Sequence, residues 1–252
     1  MSDVPDRSLT ILTDGKVMKG YRRARLRGRD ALGLYPMPFT LQIWNLSTSD
    51  YLQLCSARKV TVKSGASVLA SGYVSNVSQR NVDDGLLTEA VFSAGLKLWE
   101  SQVSVSVGAG LSAAGAVQAI LSASGVMKLL SYQGTDRSFS RGQAFFGRAA
   151  ECVEQALAGT GNRAYITDSG LCVVPASGLA ESITLTVNDL LDSPVQAANN
   201  LVILRTKVVG WPLGKQVSVK FKDFSIRGLI AERCVDADNQ DGNWEAGILL
   251  EI

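Results

Sequence analysis

The chain has 252 residues, 46% of them hydrophobic and 19% charged, with a formal net charge of +2. That is enough chain for one large or two to three small domains with buried cores, and it excludes a disordered tail and global electrostatic steering towards nucleic acid. Histidine is absent. Its absence removes Ser-His-Asp triads, Cys-His dyads and His-ligated zinc, and leaves open only chemistry built on paired carboxylates or on lysine.

No run approaches the roughly 18 apolar residues that span a bilayer, and the start, Met1-Ser2-Asp3-Val4-Pro5-Asp6-Arg7, lacks a basic region followed by an apolar one. No membrane insertion by this chain and no secretory leader are expected. Cys55, Cys152, Cys172 and Cys234 are widely spaced among apolar neighbours, which reads as four small buried hydrophobes in a reducing compartment.

In chain order, residues 8–12 are apolar and β-branched, Asp14-Gly15 signals a turn, and Phe39-Thr40-Leu41-Gln42-Ile43-Trp44 alternates with period two. Residues 58–62 and 66–77 continue the strand pattern around a Ser64-Gly65 turn, and Asp83-Asp84-Gly85 marks another turn before residues 86–98. Short strands at about 10-residue intervals predict a barrel-like first domain over residues 1–104.

The texture then changes. Residues 111–121 place Leu111, Val117, Ile120 and Leu121 near one helical face behind a Ser112 N-cap. A second helix is expected over residues 141–158, with Phe145, Ala149, Val153 and Leu157 at steps of four and Gly159-Thr160-Gly161 as its stop. Strands at 163–167 and 171–174 complete a helix-and-hairpin middle domain, residues 105–181. Strand patterns at 183–187, 201–209, 216–221, 225–233 and 246–252 predict a small C-terminal barrel over residues 182–252. The expected class is mainly β with a smaller α+β segment: two β-barrel-like domains flanking a helix-containing middle. No repeat of 20 to 50 residues is visible.

Two segments stand out as candidate sites. Arg22, Arg23, Arg25, Arg27 and Arg29 fall within eight positions; in a strand, Tyr21, Arg23, Arg25 and Arg27 share one face and Arg22, Ala24 and Leu26 the other. Such a face suits an inter-subunit assembly contact better than nucleic acid, since no stacking aromatics interleave. The polar run from Asp236 to Glu245 places Asp236, Asp238 and Gln240 on alternate positions, but it has Asp241 at the sixth position and Gly247 at the twelfth. It therefore fails as an EF-hand and reads as a hairpin tip, with Asp236, Asp238, Asp241 and Trp244 as a peripheral contact.

Other features read as structural. Asp83-Asp84 and the pair Asp189 and Asp192 sit where turns and helix starts use aspartate, and Gly108-Ala109-Gly110 lacks the Lys-Ser/Thr of a phosphate loop. No catalytic residue, metal site or cofactor is assigned. The enzymatic alternative is a glycosidase-type, cell-wall-degrading enzyme, but Trp44, Trp99, Trp211 and Trp244 are scattered rather than paired with carboxylates.

Three passages resemble the baseplate hub and late control D-like tail proteins of long-tailed phages. Trp99 followed by Ser101-Gln102-Val103-Ser104 is similar to that family's exit from its first barrel. Tyr165-Ile166-Thr167-Asp168-Ser169-Gly170-Leu171 with Val173-Val174-Pro175 is similar to its middle hairpin. The stretch 183–252, with Gly210-Trp211-Pro212-Leu213-Gly214-Lys215 entering a strand and Leu249-Leu250 closing it, is similar to its last barrel. The resemblance implies a non-enzymatic structural hub, a homotrimer whose barrels mimic tail-tube subunits. It would join the tail tube to the central spike among other baseplate proteins, with DNA passing through the ring without sequence-specific binding. It further implies residence in the virion tail baseplate after assembly in the host bacterial cytoplasm.

Overall fold

A computed structural model describes residues 7–207 and 210–252, with the backbone alone for residues 180 and 181. The first part of the chain runs β1 (Thr10–Thr13), β2 (Lys16–Val17), β3 (Arg23–Ala31), β4 (Phe39–Trp44), α1 (Thr48–Ser56), β5 (Lys59–Ser64), β6 (Ser67–Val82) and β7 (Gly85–Ser93). Then come α2 (Leu96–Glu100), β8 (Gln102–Val107), α3 (Ala113–Ser124), β9 (Leu129–Tyr132), β10 (Gln143–Arg148), α4 (Ala149–Leu157), β11 (Asn162–Ile166) and β12 (Leu171–Pro175). The last part is β13 (Leu179–Thr186), β14 (Val195–Ala198), β15 (Leu201–Thr206), β16 (Lys215–Lys220), β17 (Ser225–Asp238) and β18 (Trp244–Glu251). Strands hold 52% of the structure and helices 16%, so the class is mainly β with a smaller α+β part, as the sequence predicts.

The two strand-rich ends share one hydrogen-bonded sheet. Its order is β2-β1-β5-β6-β7-β4-β3-β17-β18-β15-β14, with β16 beside β17 and β13 beside β16. The junction is antiparallel, Arg25–Ala31 of β3 against Glu232–Asp238 of β17. Alternation sets the faces: Ala24, Leu26, Leu41, Ile43, Val235, Ala237, Ile248 and Leu250 point into a single buried core, while the arginines of β3 take the opposite face.

Registers reveal an internal duplication that the sequence conceals. The path β3-β4-β7-β6-β5 and the path β14-β15-β18-β17-β16 have the same order and the same antiparallel pairings. Each contains one long strand, β6 or β17, that gains an extra residue, Ser75 or Ala231, at a register shift and there exchanges a neighbour. Aligning those two residues brings Gly72 onto Gly228. Lys59-Val60-Thr61-Val62 then falls on Gln216-Val217-Ser218-Val219, and buried Phe39 and Leu41 on buried Val202 and Leu204. The copies diverge at their outer strand, since β1 is antiparallel to β5 whereas β13 is parallel to β16.

Between the copies lies the α+β segment with its own core, in which Leu34 and Leu98 join Val117, Ile120, Phe145, Val153 and Val173. Helix α3 starts at the expected Ser112, whose hydroxyl accepts from the Gly115 N–H, and ends at left-handed Gly125. The helix expected over 141–158 is corrected: residues 143–148 form β10, paired with β8, and the helix begins at Ala149. Phe145 is fully buried while Phe146 is 85% exposed, a period of two that the steps of four masked because Phe145 and Ala149 lie on either side of the strand-to-helix junction. The cysteine reading is corrected by half. Cys152 and Cys172 are buried, but Cys55 and Cys234 are exposed, on the outer sides of α1 and β17, and all four are free thiols.

Candidate functional site

The chemistry-bearing residues named from the sequence converge on one place, the seam between β3 and β17. Arg25 donates from Nε and Nη2 to the two oxygens of Asp236, both at 2.8 Å, the fork-on-fork geometry that suits guanidinium and carboxylate. Arg27 adds a contact to the same carboxylate at 3.3 Å, Arg23 reaches Asp238 at 3.0 Å, and Arg29 reaches Glu232 at 3.5 Å. On the core side of the same two strands Arg233 grips Asp30 at 2.6 and 2.9 Å and donates to the Trp211 carbonyl. Charged residues some 200 positions apart in sequence thus form a ladder that pins one copy of the β unit to the other.

The ladder is graded in exposure. Arg27 and Arg29 are more than half exposed and contribute little; Arg25 and Asp236 are each about one-fifth exposed, and Asp238 is fully buried. Arg23 also lies over the Trp44 ring, 4.5 Å from its centroid, which offsets part of the burial of an Nε that has no hydrogen-bond partner. Arg22 lies just before β3 and is exposed; its carbonyl accepts from Asn239 and Gln240 of the β17–β18 turn.

That turn is shorter than the polar run suggests. Asp236 and Asp238 belong to β17, and Trp244, 7% exposed, opens β18 and packs into the core. Asp241 alone of the four named residues is exposed at the tip. Asp238 organises the turn from inside, accepting the Gln240 N–H at 2.9 Å while holding Arg23.

Burial pushes the Asp236 carboxyl up, but hydrogen bonds from Arg25 and the charges of Arg25 and Arg27 outweigh it and hold the group below the ordinary aspartate value. A carboxyl depressed on folding stabilises the folded state fully above its unfolded pKa of about 4, and that contribution is lost as pH falls through the lower folded value. Asp236→Asn is therefore expected to cost about 2 kcal/mol at pH 7 and progressively less below pH about 4. Thermal melts at pH 7 and at pH 3 check this; an equal gap at both would mean that the ion pairs do not stabilise the seam.

The other aspartates singled out from the sequence sit in local structure. Asp189 accepts from the backbone N–H and hydroxyl of Thr186 in a capping box, and Asp192 pairs with Arg205, which also holds Glu245. Asp83 and Asp84 form the β6–β7 turn. Among the described residues no group of three His, Cys, Asp or Glu side chains is placed to hold a metal ion, and no helix is long and apolar enough to cross a membrane. Two tryptophans, Trp211 and Trp244, are core residues, while Trp44 and Trp99 lie under Arg23 and Arg148.

No protein-family model matches the chain, and no curated protein matches it by sequence. Solved structures do. The 43 kDa tail protein of prophage MuSo2 from Shewanella oneidensis superposes with a TM-score of 0.70 at 13% identity, over 96% of this chain and 95% of that one. A tail protein from Neisseria meningitidis MC58 gives 0.70 at 10% identity, over 96% and 95%. The c3393 protein of Escherichia coli gives 0.73 at 10% identity, over 96% and 76%; it is described as a type VI secretion system component structurally similar to the T4 bacteriophage tail proteins gp27 and gp5. The chain has the fold of phage tail and tail-like proteins, in keeping with the resemblance to baseplate hubs drawn from its sequence.

Proposed function

We propose that this chain is a structural, non-enzymatic hub of a phage tail baseplate or equivalent tail-like device, a homotrimeric ring adaptor between the tail tube and the central spike. The observation that carries the reading is architectural: along 96% of its length the chain follows the fold of tail proteins, and its ends are two copies of one β unit joined edge to edge into a continuous wall. A wall of hydrogen-bonded strands is stiff and leaves few open edges, which suits a load-transmitting ring.

In this reading residues 1–104 and 182–252 are tube-like end domains and residues 105–181 a middle domain, so that three chains present six β units to a hexameric tube. Arg23, Arg25, Asp236, Asp238 and Trp244 serve the seam within the chain. Arg22, Arg27, Arg29 and Asp241 are left facing outwards for neighbouring tube, spike or baseplate proteins. DNA passes through the ring without sequence-specific binding, no cofactor takes part, and the protein resides in the virion tail after assembly in the host cytoplasm.

Light scattering on the purified protein is expected to give three times the chain mass, and a peptidoglycan suspension to keep its turbidity when the protein is added. A stable monomer at high concentration would remove the ring. Clearing of the suspension would replace the hub by the glycosidase-type tail enzyme.

A further inference from the structure

The duplication separates what packing demands of a residue from what it does not. Core positions match because both copies must pack: Val60 and Val62 fall on Val217 and Val219, all fully buried. Many outward positions have diverged. Thr40 falls on Ile203, Gln42 on Arg205 and Glu89 on Gly247, and Arg80 falls on Asp236 with its charge reversed. One strand departs from this. Along β5 the side chains turned away from the core are Lys59, Thr61 and Lys63; along its counterpart β16 they are Gln216, Ser218 and Lys220, so a hydroxyl and then a cation recur at the same two places. The residue before each run is a cation as well, Arg58 and Lys215.

The outermost strands repeat the pattern. β1 is antiparallel to β5 and β13 parallel to β16, yet Thr10 stands opposite Lys63 and Thr186 opposite Lys220. The fold's own contacts do not account for the two lysines. Lys63 is partly exposed and Lys220 exposed, and among the described residues neither ammonium has a hydrogen-bond or ion-pair partner. Asp189, beside Thr186, accepts from that threonine and not from Lys220.

We propose that β5 and β16 each present the same docking position, a lysine set among hydroxyl side chains, to a carboxylate of an acidic protein that meets the two β units alike, two positions to each chain. The match lies within one chain, so this goes beyond the ring reading and does not depend on it. Charge decides the class of partner. A compact ammonium suits a single carboxylate, whereas phosphate is gripped best by arginine forks and bases by exposed aromatics. Arg227, across from Ser218, is taken up by Gln216. The stacked Phe221 and Phe224 beyond Lys220 have no counterpart in the first unit, which turns through residues 64–67 without an aromatic side chain.

The test follows the lysines themselves. Reductive methylation with carbon-labelled methyl groups keeps each ammonium charged, and Lys63→Arg, Lys220→Arg and Lys19→Arg assign three signals. Lys19, exposed and outside both outer strands, is the control. Titration of the full chain with a hexaglutamate peptide at low salt is expected to shift the Lys63 and Lys220 signals with midpoints within about threefold of each other, and the Lys19 signal about tenfold later or not at all. Midpoints for Lys63 and Lys220 more than about tenfold apart overturn the shared position. A Lys19 signal that moves with them reduces the effect to general surface charge and overturns it too. A short DNA duplex that shifts both lysines at a lower concentration of charge than the peptide replaces the protein partner by nucleic acid, and signals that move on dilution of the chain alone assign the surface to a second copy. Light scattering reads the ring and these midpoints read the docking position, so each proposal can fail without the other.

Discussion

Gly72→Ala is expected to destabilise the fold by about 3 kcal/mol, and Gly228→Ala by a similar amount, although neither residue is near a turn. A Cβ on Gly72 would lie 2.3 Å from the carbonyl carbon of Ser93 and 2.6 Å from the Ala94 nitrogen; one on Gly228 would lie 2.7 Å from the carbonyl oxygen of Glu251. These are backbone atoms, which cannot swing aside as a side chain can. The two contacts are one contact made twice, because Ser93 stands opposite Tyr73 as Glu251 stands opposite Leu229. Each glycine lets the end of the neighbouring strand lie against the long strand three residues before its extra residue. Gly108→Ala, with nothing within 4 Å of its added carbon, is the control and should melt like the parent. Chemical denaturation of the three variants checks the expectation; a neutral Gly72→Ala would mean that the close approach does not shape the β unit.

That pair of glycines also marks the limit of what the sequence displays. The alternation of Ala24 and Leu26 with Arg23, Arg25 and Arg27 is visible in the chain and places the arginines on one face, as the structure has them. Their partners are not visible, because nothing local links Arg25 to an aspartate 211 positions away. Asp236 and Asp238 read as loop since aspartate is depleted in strands, yet Val235 and Ala237, which alternate with them, carry the period of two that marks β17. The duplication leaves little more than Val-Thr-Val-Lys matched to Val-Ser-Val-Lys, Leu41 matched to Leu204 and one shared glycine, because a pleated strand needs only an apolar residue at every second place and accepts many sequences there. The pairings, not the identities, preserve it.

Asp238→Ala is the second change expected to have a large effect, a loss of about 3 kcal/mol, more than for any other single member of the seam. Its carboxylate is fully buried and satisfies two donors, the Arg23 guanidinium and the Gln240 N–H, so removal strands a cation and a backbone group at once. Removing both members of the ion pair should be milder than removing the acid alone. Arg23→Met keeps an apolar stem against Trp44, where the guanidinium now lies, and leaves no unpaired charge, so the double variant Asp238→Ala, Arg23→Met is expected to regain about 1 kcal/mol or more over Asp238→Ala. Equilibrium unfolding of the two singles and the double supplies the cycle. A double variant that stays as unstable as Asp238→Ala would assign the buried acid to the Gln240 turn instead of the seam, and would shift the work of joining the two β units onto Arg25, Asp236 and the Arg233–Asp30 pair on the core side.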